Sequence, residues 1–335
     1  MNPILQVQNL KLYFDIGKKL REHIYVKAVD DVSFDIQPGE VVGLVGESGS
    51  GKSTIAYTLM GMYKPTGGNI QYKGQSLLMR SDKRPLSLKK DLQIVFQDPS
   101  TSLNPHQNIK QILELPLRVH GLGETQKQRD ARVKELLGLV ELPVSYLYAS
   151  PSAMGGGERQ LISIARALAS EPSMVILDEP TSALDVSIQA KIINMLLKLQ
   201  VEKNLTYLFI THDLSLMRNI ATKVAILYLG KLAEVAPTVD FFSQPAHPYT
   251  KMLLSSIPVI SDEEEKLKPQ RVASRGEIPS PVDIPPGCSF HQRCYETMEA
   301  CKQADPAFHR VGEGHMVRCH LCASRHETAS WEPRS

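Results

Sequence analysis

The stretch that decides the fold is VVGLVGESGSGKSTIAYTLMGMY at residues 41–63. It begins as a short apolar run, continues through a glycine-rich segment and ends with the composition of a helix. Residues 46–54 fit the pattern G-x-x-x-x-G-K-[ST], which binds phosphate when it connects a strand to a helix. The flanking strand and helix therefore predict a phosphate site rather than an ordinary glycine turn. The fixed positions of the pattern are occupied by Gly46, Gly51, Lys52 and Ser53.

The chemistry of phosphate binding explains why these residue types are needed. Glycines allow backbone N–H groups to turn toward an anion, and the start of the helix adds a positive end. Lys52 supplies a charge to the β- and γ-phosphates of a nucleotide, and the Ser53 hydroxyl completes the coordination of Mg²⁺. The phosphates of a nucleotide and Mg²⁺ are therefore the expected ligands. Further contacts from this segment are expected from Ser48, Gly49, Ser50 and Thr54.

The pattern on either side predicts an α/β fold. Residues 1–40 alternate polar and apolar side chains, which is typical of antiparallel strands with one solvated face. Strands alternate with helices further along the chain, and this order favours a parallel sheet. From about residue 100 to 170 the pattern is helical throughout, which indicates a helical insertion. KVAILYLGKLAEVA at 223–236 predicts a hairpin.

Composition excludes several classes of protein. The 335 residues contain 38 Lys+Arg and 36 Asp+Glu, and this balance argues against general nucleic-acid binding. No stretch approaches the ~20 apolar residues that a membrane helix needs. The N-terminus lacks the basic and apolar regions of a secretory signal, so we expect a cytosolic chain that can still join a membrane complex through partners.

Polar side chains follow three further apolar strands. Asp178 and Glu179 end MVILDEP, where Asp178 can hold Mg²⁺ through water and Glu179 can orient or deprotonate an attacking water. Gln97 follows LQIVFQ and His212 follows YLFITH. Because ligands of open α/β sheets lie beyond the carboxyl ends of the strands, these residues are expected to converge with the phosphate segment.

This set of motifs resembles the ATP-binding-cassette (ABC) ATPases over residues 1–240. GESGSGKST resembles Walker A, FQDP the Q-loop, VILDEP Walker B, SALD at 182–185 the D-loop and THD at 211–213 the switch region. The resemblance implies that Glu179 is the catalytic glutamate and that His212 contacts the γ-phosphate. It implies that Gln97 senses Mg²⁺ and the membrane partner, and it places Asp185 near the nucleotide.

AMGGGERQ at 153–160 occupies the place of that family's LSGGQ signature. The resemblance implies that Gly155, Gly156 and Gly157 begin a helix that completes the ATP site of an opposite subunit. The match is imperfect, because Gly155 stands where the family has serine and Glu158 where it has glutamine. Gly155 thus lacks a hydroxyl for the γ-phosphate, and Glu158 adds a negative charge.

The C-terminal part narrows the resemblance. HPYTKMLLSSIP at 247–258, GEIPSP at 276–281 and PPGCSFHQRC at 285–294 resemble the ATPase subunits of oligopeptide, dipeptide and nickel importers. This implies a peripheral ATPase at the cytoplasmic face of the membrane. Its implied partners are a second ATPase subunit, two permeases and an extracytoplasmic binding protein. Peptide is the expected cargo, with nickel or oligosaccharides as alternatives and a soluble non-transport ATPase as a less favoured function.

The five cysteines all lie between residues 288 and 322, which indicates one local site rather than a disulfide framework spread along the chain. Four thiolates suit either a 4Fe-4S cluster or structural Zn²⁺, and the family resemblance favours the cluster. Cys322 is interpreted as a bystander, and disulfides are disfavoured in the cytosol. The expected ligands are Cys288, Cys294, Cys301 and Cys319.

Residues 1–245 are expected to form the nucleotide-binding domain, with its helical subdomain at about 100–170, and residues 246–335 a small, loop-rich extension with the cysteines. Tyr25 is the candidate for stacking on adenine, and Tyr13 is a second candidate.

Overall fold

The computed structural model describes residues 2–19, 22–182, 184–257 and 276–323. The chain divides into two compact units, the first comprising residues 1–79 and 210–335 and the second residues 80–209. The segment DEEEK at 262–266, Pro258 of the 247–258 motif and Ala183 of the D-loop lie outside the described residues.

The strands of the described residues are β1 (Leu5–Lys19), β2 (Glu22–Ile36), β3 (Val41–Val45), β4 (Gly67–Tyr72), β5 (Gln75–Ser76), β6 (Leu92–Val95), β7 (Met174–Asp178), β8 (Thr206–Thr211), β9 (Lys223–Tyr228), β10 (Lys231–Pro237), β11 (Phe308–Gly312) and β12 (His315–Arg318). The α-helices are α1 (Lys52–Leu59), α2 (Leu86–Asp91), α3 (Pro99–Ser102), α4 (Ile109–Val119), α5 (Gln126–Leu139), α6 (Gly156–Leu168), α7 (Val186–Lys203), α8 (Leu214–Ile220), α9 (Thr238–Ser243), α10 (Pro248–Ser255), α11 (Glu299–Gln303) and α12 (His320–Ala323).

An antiparallel sheet forms the N-terminal part of the first unit, in the order β2-β1-β4-β5. Its two long strands pair from Leu5↔Ile36 to Lys19↔Glu22. Alternate side chains along β1, such as Leu5 and Val7, are fully buried, because a period of two directs them to one face. The expected antiparallel N-terminal part is confirmed.

A second sheet of the first unit carries the glycine-rich segment. The strand β3 is buried at every residue and pairs in parallel with β9, from Val42↔Lys223 to Val45↔Ile226. The strands β9 and β10 form the expected hairpin. Such a continuous apolar run is typical of a strand that is covered on both faces.

The C-terminal extension is more regular than its composition suggests. The strands β11 and β12 pair with each other, and β12 pairs with β10 through Glu234↔Val317 and Val235↔Met316. The extension thus adds two strands to the second sheet of the first unit, and the expectation of a loop-rich appendage is wrong for residues 308–318. Main-chain pairing with β10 supplies order that a local composition cannot predict.

The second unit contains the expected helical region. The strands β6 and β7 pair in parallel, from Leu92↔Met174 to Val95↔Leu177. Reciprocal capping boxes define the starts of α4 and α5, in which Asn108 pairs with Gln111 and Thr125 with Gln128. The helices α3 to α6 fall within the expected boundaries of the helical subdomain. Among the described residues, no helix has the length and apolar character needed to cross a membrane.

Candidate nucleotide site

The glycine-rich segment of the first unit has the backbone of a phosphate loop. Gly51 caps α1 with φ 106°, and a Cβ placed there would lie 2.2 Å from the Ala28 carbonyl oxygen. A Cβ at Gly46 would lie 2.3 Å from the Leu227 carbonyl oxygen. Only glycine fits both positions, so the tight turn into α1 depends on them.

The lysine of the motif is buried and is held by the loop itself. Lys52 Nζ donates hydrogen bonds to the carbonyl oxygens of Gly46, at 2.8 Å, and Glu47, at 3.0 Å. Its charge is therefore held within the loop. Ser53 and Thr54 follow it in the first turn of α1. Ser48 and Gly49 are exposed at the top of the loop, whereas Ser50 is buried and its N–H donates to the Glu47 carbonyl at 3.2 Å.

The structure separates the two candidate adenine-stacking aromatics. The Tyr25 side chain is 46% exposed, and its ring lies 6.0 Å from the His23 ring in a stacked arrangement. Tyr13 instead donates a hydrogen bond from its hydroxyl to Asp30 at 2.5 Å. Burial and this carboxylate together raise the pKa of Tyr13. An exposed ring is the one available for stacking on a base.

In the second unit, two predicted site residues are in direct contact. Gln97 Nε2 donates a hydrogen bond to Glu179 Oε2 at 3.1 Å. Glu179 adopts φ 45°, a left-handed conformation that costs roughly 1–3 kcal/mol for a residue other than glycine. The neighbouring Asp178 is fully buried at the end of β7. The backbone conformation of Glu179 and the hydrogen bond from the Gln97 amide therefore set the position of the Glu179 carboxylate.

The signature segment begins α6, as the glycines predict. Gly155 is the N-cap residue, and its N–H donates a hydrogen bond to Glu158 Oε2 at 2.8 Å. The other oxygen of Glu158 accepts a hydrogen bond from the Tyr146 hydroxyl. The bond from Tyr146, followed by that from Gly155, lowers the pKa of Glu158 below its usual value. A charged carboxylate therefore caps this helix.

The other two signature glycines pack against the segment that follows β7. A Cβ at Gly157 would lie 2.7 Å from Ile188 Cγ2, and one at Gly156 would lie 3.5 Å from Leu184 Cδ2. Asp185 is the N-cap of α7, where it accepts hydrogen bonds from Ile188 N–H at 3.0 Å and from the Ser187 hydroxyl at 2.6 Å. Asp185 thus has a structural role that the sequence analysis did not anticipate.

His212 is exposed directly after β8, and Asp213 caps the next helix by accepting from the N–H groups of Ser215 and Leu216. The predicted site residues are therefore divided between the two units. The phosphate loop, Tyr25 and His212 belong to the first. The residues of the second are Gln97, Asp178, Glu179, Gly155, Gly156, Gly157 and Asp185.

The four expected thiolate ligands do not form a recognisable metal site. Burial raises the pKa of Cys288 and of Cys294 to about 11. The Cys319 thiol shares a hydrogen bond with Cys322, which the sequence analysis treated as a bystander. No group of three or more Cys, His, Asp or Glu in the described parts of the chain is arranged to hold a metal ion. The structure therefore does not support the predicted cluster or zinc site.

The phosphate loop also has a contact that the sequence motifs do not predict. Glu47 forms an ion pair with Arg293, with 2.7 Å between Arg293 Nη1 and Glu47 Oε2. The Tyr249 hydroxyl lies 3.3 Å from both the N–H and the Oε2 of Glu47. Glu47 occupies a variable position of the motif, so the pattern itself gives no signal for this contact.

Comparison with known proteins identifies the class of protein. Residues 29–182 match the family model described as ABC transporter. The ATP-binding cassette MJ0796, solved as a dimer bound to ADP and Pi, is 29% identical with a TM-score of 0.61, covering 70% of this chain and 98% of that one. The protein is therefore an ABC-type ATPase, and its activity is the hydrolysis of ATP.

More similar relatives specify the family. The oligopeptide transport ATP-binding protein AppF of Bacillus subtilis is 46% identical over 321 residues, which cover 95% of this chain and 97% of AppF. The dipeptide transport ATP-binding protein DppF of Haemophilus influenzae is 40% identical over 318 residues, covering 95% and 96% of the two chains. Residues 233–301 match the model for the C-terminal region of oligopeptide/dipeptide transporters. The chain belongs to this family of ABC transporter ATP-binding proteins.

Proposed function

We propose that this chain is the ATP-hydrolysing subunit of an importer of dipeptides or oligopeptides. The observation that carries the proposal is the match of residues 233–301 to the C-terminal region of oligopeptide/dipeptide transporters. The relatives named for oligopeptide and dipeptide transport support the cargo class across nearly the whole chain.

The phosphate loop binds ATP in this proposal. Lys52 leaves the carbonyl oxygens of the loop for the β- and γ-phosphates, and Tyr25 stacks on the adenine. Ser53, Gln97 and Asp178 would hold Mg²⁺, which would neutralise charge on the phosphates. These hydroxyl, amide and carboxylate oxygens are the ligand types that Mg²⁺ prefers.

Glu179 acts as the general base of hydrolysis. It accepts a proton from the water that attacks the γ-phosphorus, and the bond from that phosphorus to the β–γ bridging oxygen breaks as ADP leaves. Gln97 holds Glu179 through the 3.1 Å hydrogen bond, so a movement of Gln97 changes the position of the base. His212 contacts the γ-phosphate. This arrangement couples the Q-loop to the catalytic step.

The signature segment acts on the nucleotide of a second ATPase subunit. We place the chain at the cytoplasmic face of the membrane, in a complex with that subunit, two permeases and an extracytoplasmic binding protein. Because Gly155 has no hydroxyl and Glu158 is charged, the partner's nucleotide is hydrolysed slowly. The nucleotide bound by this chain faces an intact signature from the partner and supplies most of the turnover.

The test is Glu179→Gln in the assembled transporter in proteoliposomes, with peptide uptake and phosphate release as readouts. Most of both activities should be lost, while ATP binding persists because no phosphate contact is removed. Asp240→Asn, a carboxylate of the first unit outside the site, is the control. Near wild-type hydrolysis by Glu179→Gln would refute the assignment of the active site, and hydrolysis stimulated by a non-peptide ligand of the binding protein would refute the peptide cargo.

We further propose a metal for the cysteines, namely a 4Fe-4S cluster held by Cys288, Cys294, Cys301 and Cys319, with Zn²⁺ as the alternative. The thiolate donor set supports this proposal, although Cys319 would have to leave Cys322. Iron, sulfide and zinc analysis of anaerobically purified protein tests it. Iron and sulfide in equal amounts support the cluster, zinc in a colourless protein supports the alternative, and neither metal refutes both.

A further inference from the structure

Arg293 of the C-terminal extension forms a bidentate ion pair with Glu47 of the phosphate loop. Nη1 lies 2.7 Å from Glu47 Oε2, and Nη2 lies 3.0 Å from Glu47 Oε1. The two residues are 246 positions apart in the sequence. A two-pronged pair of this kind fixes direction as well as distance, which a single ammonium group cannot do.

The guanidinium is itself held in place. Arg293 is only 5% exposed, and its guanidinium carbon lies 5.6 Å from the Tyr228 ring centroid and 5.8 Å from that of Phe290. The Tyr249 ring packs against both of these rings, at 4.7 Å and 5.2 Å. A buried cation among aromatic rings has little freedom to move, so the position of Arg293 determines that of the Glu47 side chain.

Glu47 transmits this position to the lysine of the motif. Its N–H donates to the Tyr249 hydroxyl at 3.3 Å, and its carbonyl oxygen accepts from Lys52 Nζ at 3.0 Å. The side chain, the N–H and the carbonyl of one residue are thus all engaged. The orientation of the Glu47 peptide group affects where the Lys52 charge lies before nucleotide binds.

The ion pair between Arg293 and Glu47 also reduces negative charge in the phosphate loop. Glu47 places a carboxylate in a loop that must receive a triphosphate, and an uncompensated carboxylate there would repel it. Arg293 neutralises that charge from the side of the extension. Removal of Arg293 therefore perturbs both the geometry and the charge of the loop.

The extension has other anchors that do not touch the phosphate loop. Arg318 Nη2 lies 2.6 Å from Asp31 Oδ2. His315 Nε2 lies 2.7 Å from Glu234 Oε1. Like Arg293, Arg318 is a nearly buried arginine paired with a carboxylate of the first unit, at 8% exposure. It provides a matched control for damage to the extension alone.

We propose that Arg293 is a positioning residue for ATP binding, which sets the phosphate loop through Glu47 and so makes the C-terminal extension part of the nucleotide site. This proposal rests on the proposed function of residues 46–54 as the nucleotide site. It predicts an effect on ATP affinity and KM, with kcat at saturating ATP largely retained.

The test measures ATP dissociation constants on the full-length chain and KM and kcat on the assembled transporter. Arg293→Gln should weaken ATP binding about tenfold, because losing a charge-assisted hydrogen bond changes an equilibrium constant by roughly 10- to 100-fold and only part of that reaches the nucleotide. The double variant Arg293→Gln/Glu47→Gln removes the unpaired carboxylate and should recover affinity to within about threefold of the wild type. Arg318→Gln should lower the melting temperature without weakening ATP binding.

Three results would overturn the proposal. They are an unchanged ATP affinity in Arg293→Gln, a double variant no better than Arg293→Gln, and an equal loss of affinity in Arg318→Gln. If Arg293→Gln does not fold, Arg293→Lys keeps the charge but has no fork, and it should bind ATP about threefold more weakly. Unchanged binding by Arg293→Lys would then be decisive against the proposal. Lys52→Ala tests the underlying assignment separately, because wild-type ATP binding by that variant would refute the nucleotide site itself.

Discussion

The substitution Glu158→Gln should accelerate hydrolysis of the nucleotide that faces the signature segment. The helix α6 brings about half a positive charge to its N-terminus, and the Glu158 carboxylate brings a full negative charge to the same turn. The net charge at this helix start is therefore about −0.5, which is unfavourable for a γ-phosphate. Glutamine keeps an oxygen for the Gly155 N–H and removes the charge, so the helix should begin at the same residue.

The size of the effect follows from the same interaction. A charge at a helix terminus contributes about 0.3–1 kcal/mol when exposed and up to about 2 kcal/mol when partly buried. In the proposed complex, closure of two cassettes would exclude water from this helix start, and the upper half of that range would then apply. About 1–2 kcal/mol corresponds to a rate increase of about 5- to 30-fold.

The assay isolates the partner's nucleotide by using Glu179→Gln as the background in the assembled transporter. Residual phosphate release then reports the site that faces Gly155 and Glu158. Adding Gly155→Ser should increase it further, since a Cβ at Gly155 meets only Glu158 Oε2 at 3.7 Å and leaves room for the hydroxyl. Tyr146→Phe removes one hydrogen bond from Glu158 but retains its charge, and is the control. Unchanged residual hydrolysis in Glu158→Gln, or an equal increase in Tyr146→Phe, would refute the electrostatic argument.

Two further predictions concern the first unit. Tyr25→Ala should raise the ATP dissociation constant about 5- to 100-fold, because stacking of a base on an aromatic ring contributes roughly 1–3 kcal/mol, whereas Tyr13→Phe should leave it unchanged; the opposite result would assign adenine to Tyr13. Burial lowers the pKa of His247 from 6.5 to about 4, so between these pH values the unfolded chain binds more protons than the folded chain. The free energy of unfolding should therefore decrease as the pH is lowered from about 6.5 to about 4, by at most about 3 kcal/mol. His247→Asn keeps an acceptor for the Tyr249 N–H and should flatten this part of the urea-unfolding profile; an unchanged slope would exclude His247 as its source.

The strand, loop and helix at residues 41–63 could be predicted because each step is local. An apolar run predicts β3, and the positions of Gly46 and Gly51 are the ones where a side chain would strike a carbonyl oxygen. The proximity of Gln97 and Glu179 could also be predicted, because both residues follow strands that the sequence predicts. In each case the signal lies within a few residues of the feature that it predicts.

The start of α6 marks the limit of such local reasoning. The sequence shows that Glu158 stands where the family has glutamine, and Arg159 is the basic residue next to it along the chain. Arg159 Nη1 instead donates to the Met154 carbonyl at 2.8 Å, and Tyr146 provides the partner of the carboxylate. Tyr146 belongs to a 3₁₀ turn, Val144–Tyr148, whose position depends on packing that a motif does not record.

The C-terminal extension could not be predicted for a related reason. Its composition, rich in proline and cysteine, indicates loops, and order comes from the pairing of β12 with β10 across a long stretch of sequence. Arg293 of the same extension contacts Glu47, a residue that the phosphate motif allows to vary. The contact between the extension and the phosphate loop is therefore made at a variable position of the motif, and the fixed positions keep their own contacts. In this protein the attachment is an ion pair, so the extension can alter ATP affinity while Lys52 and Glu179 keep their roles.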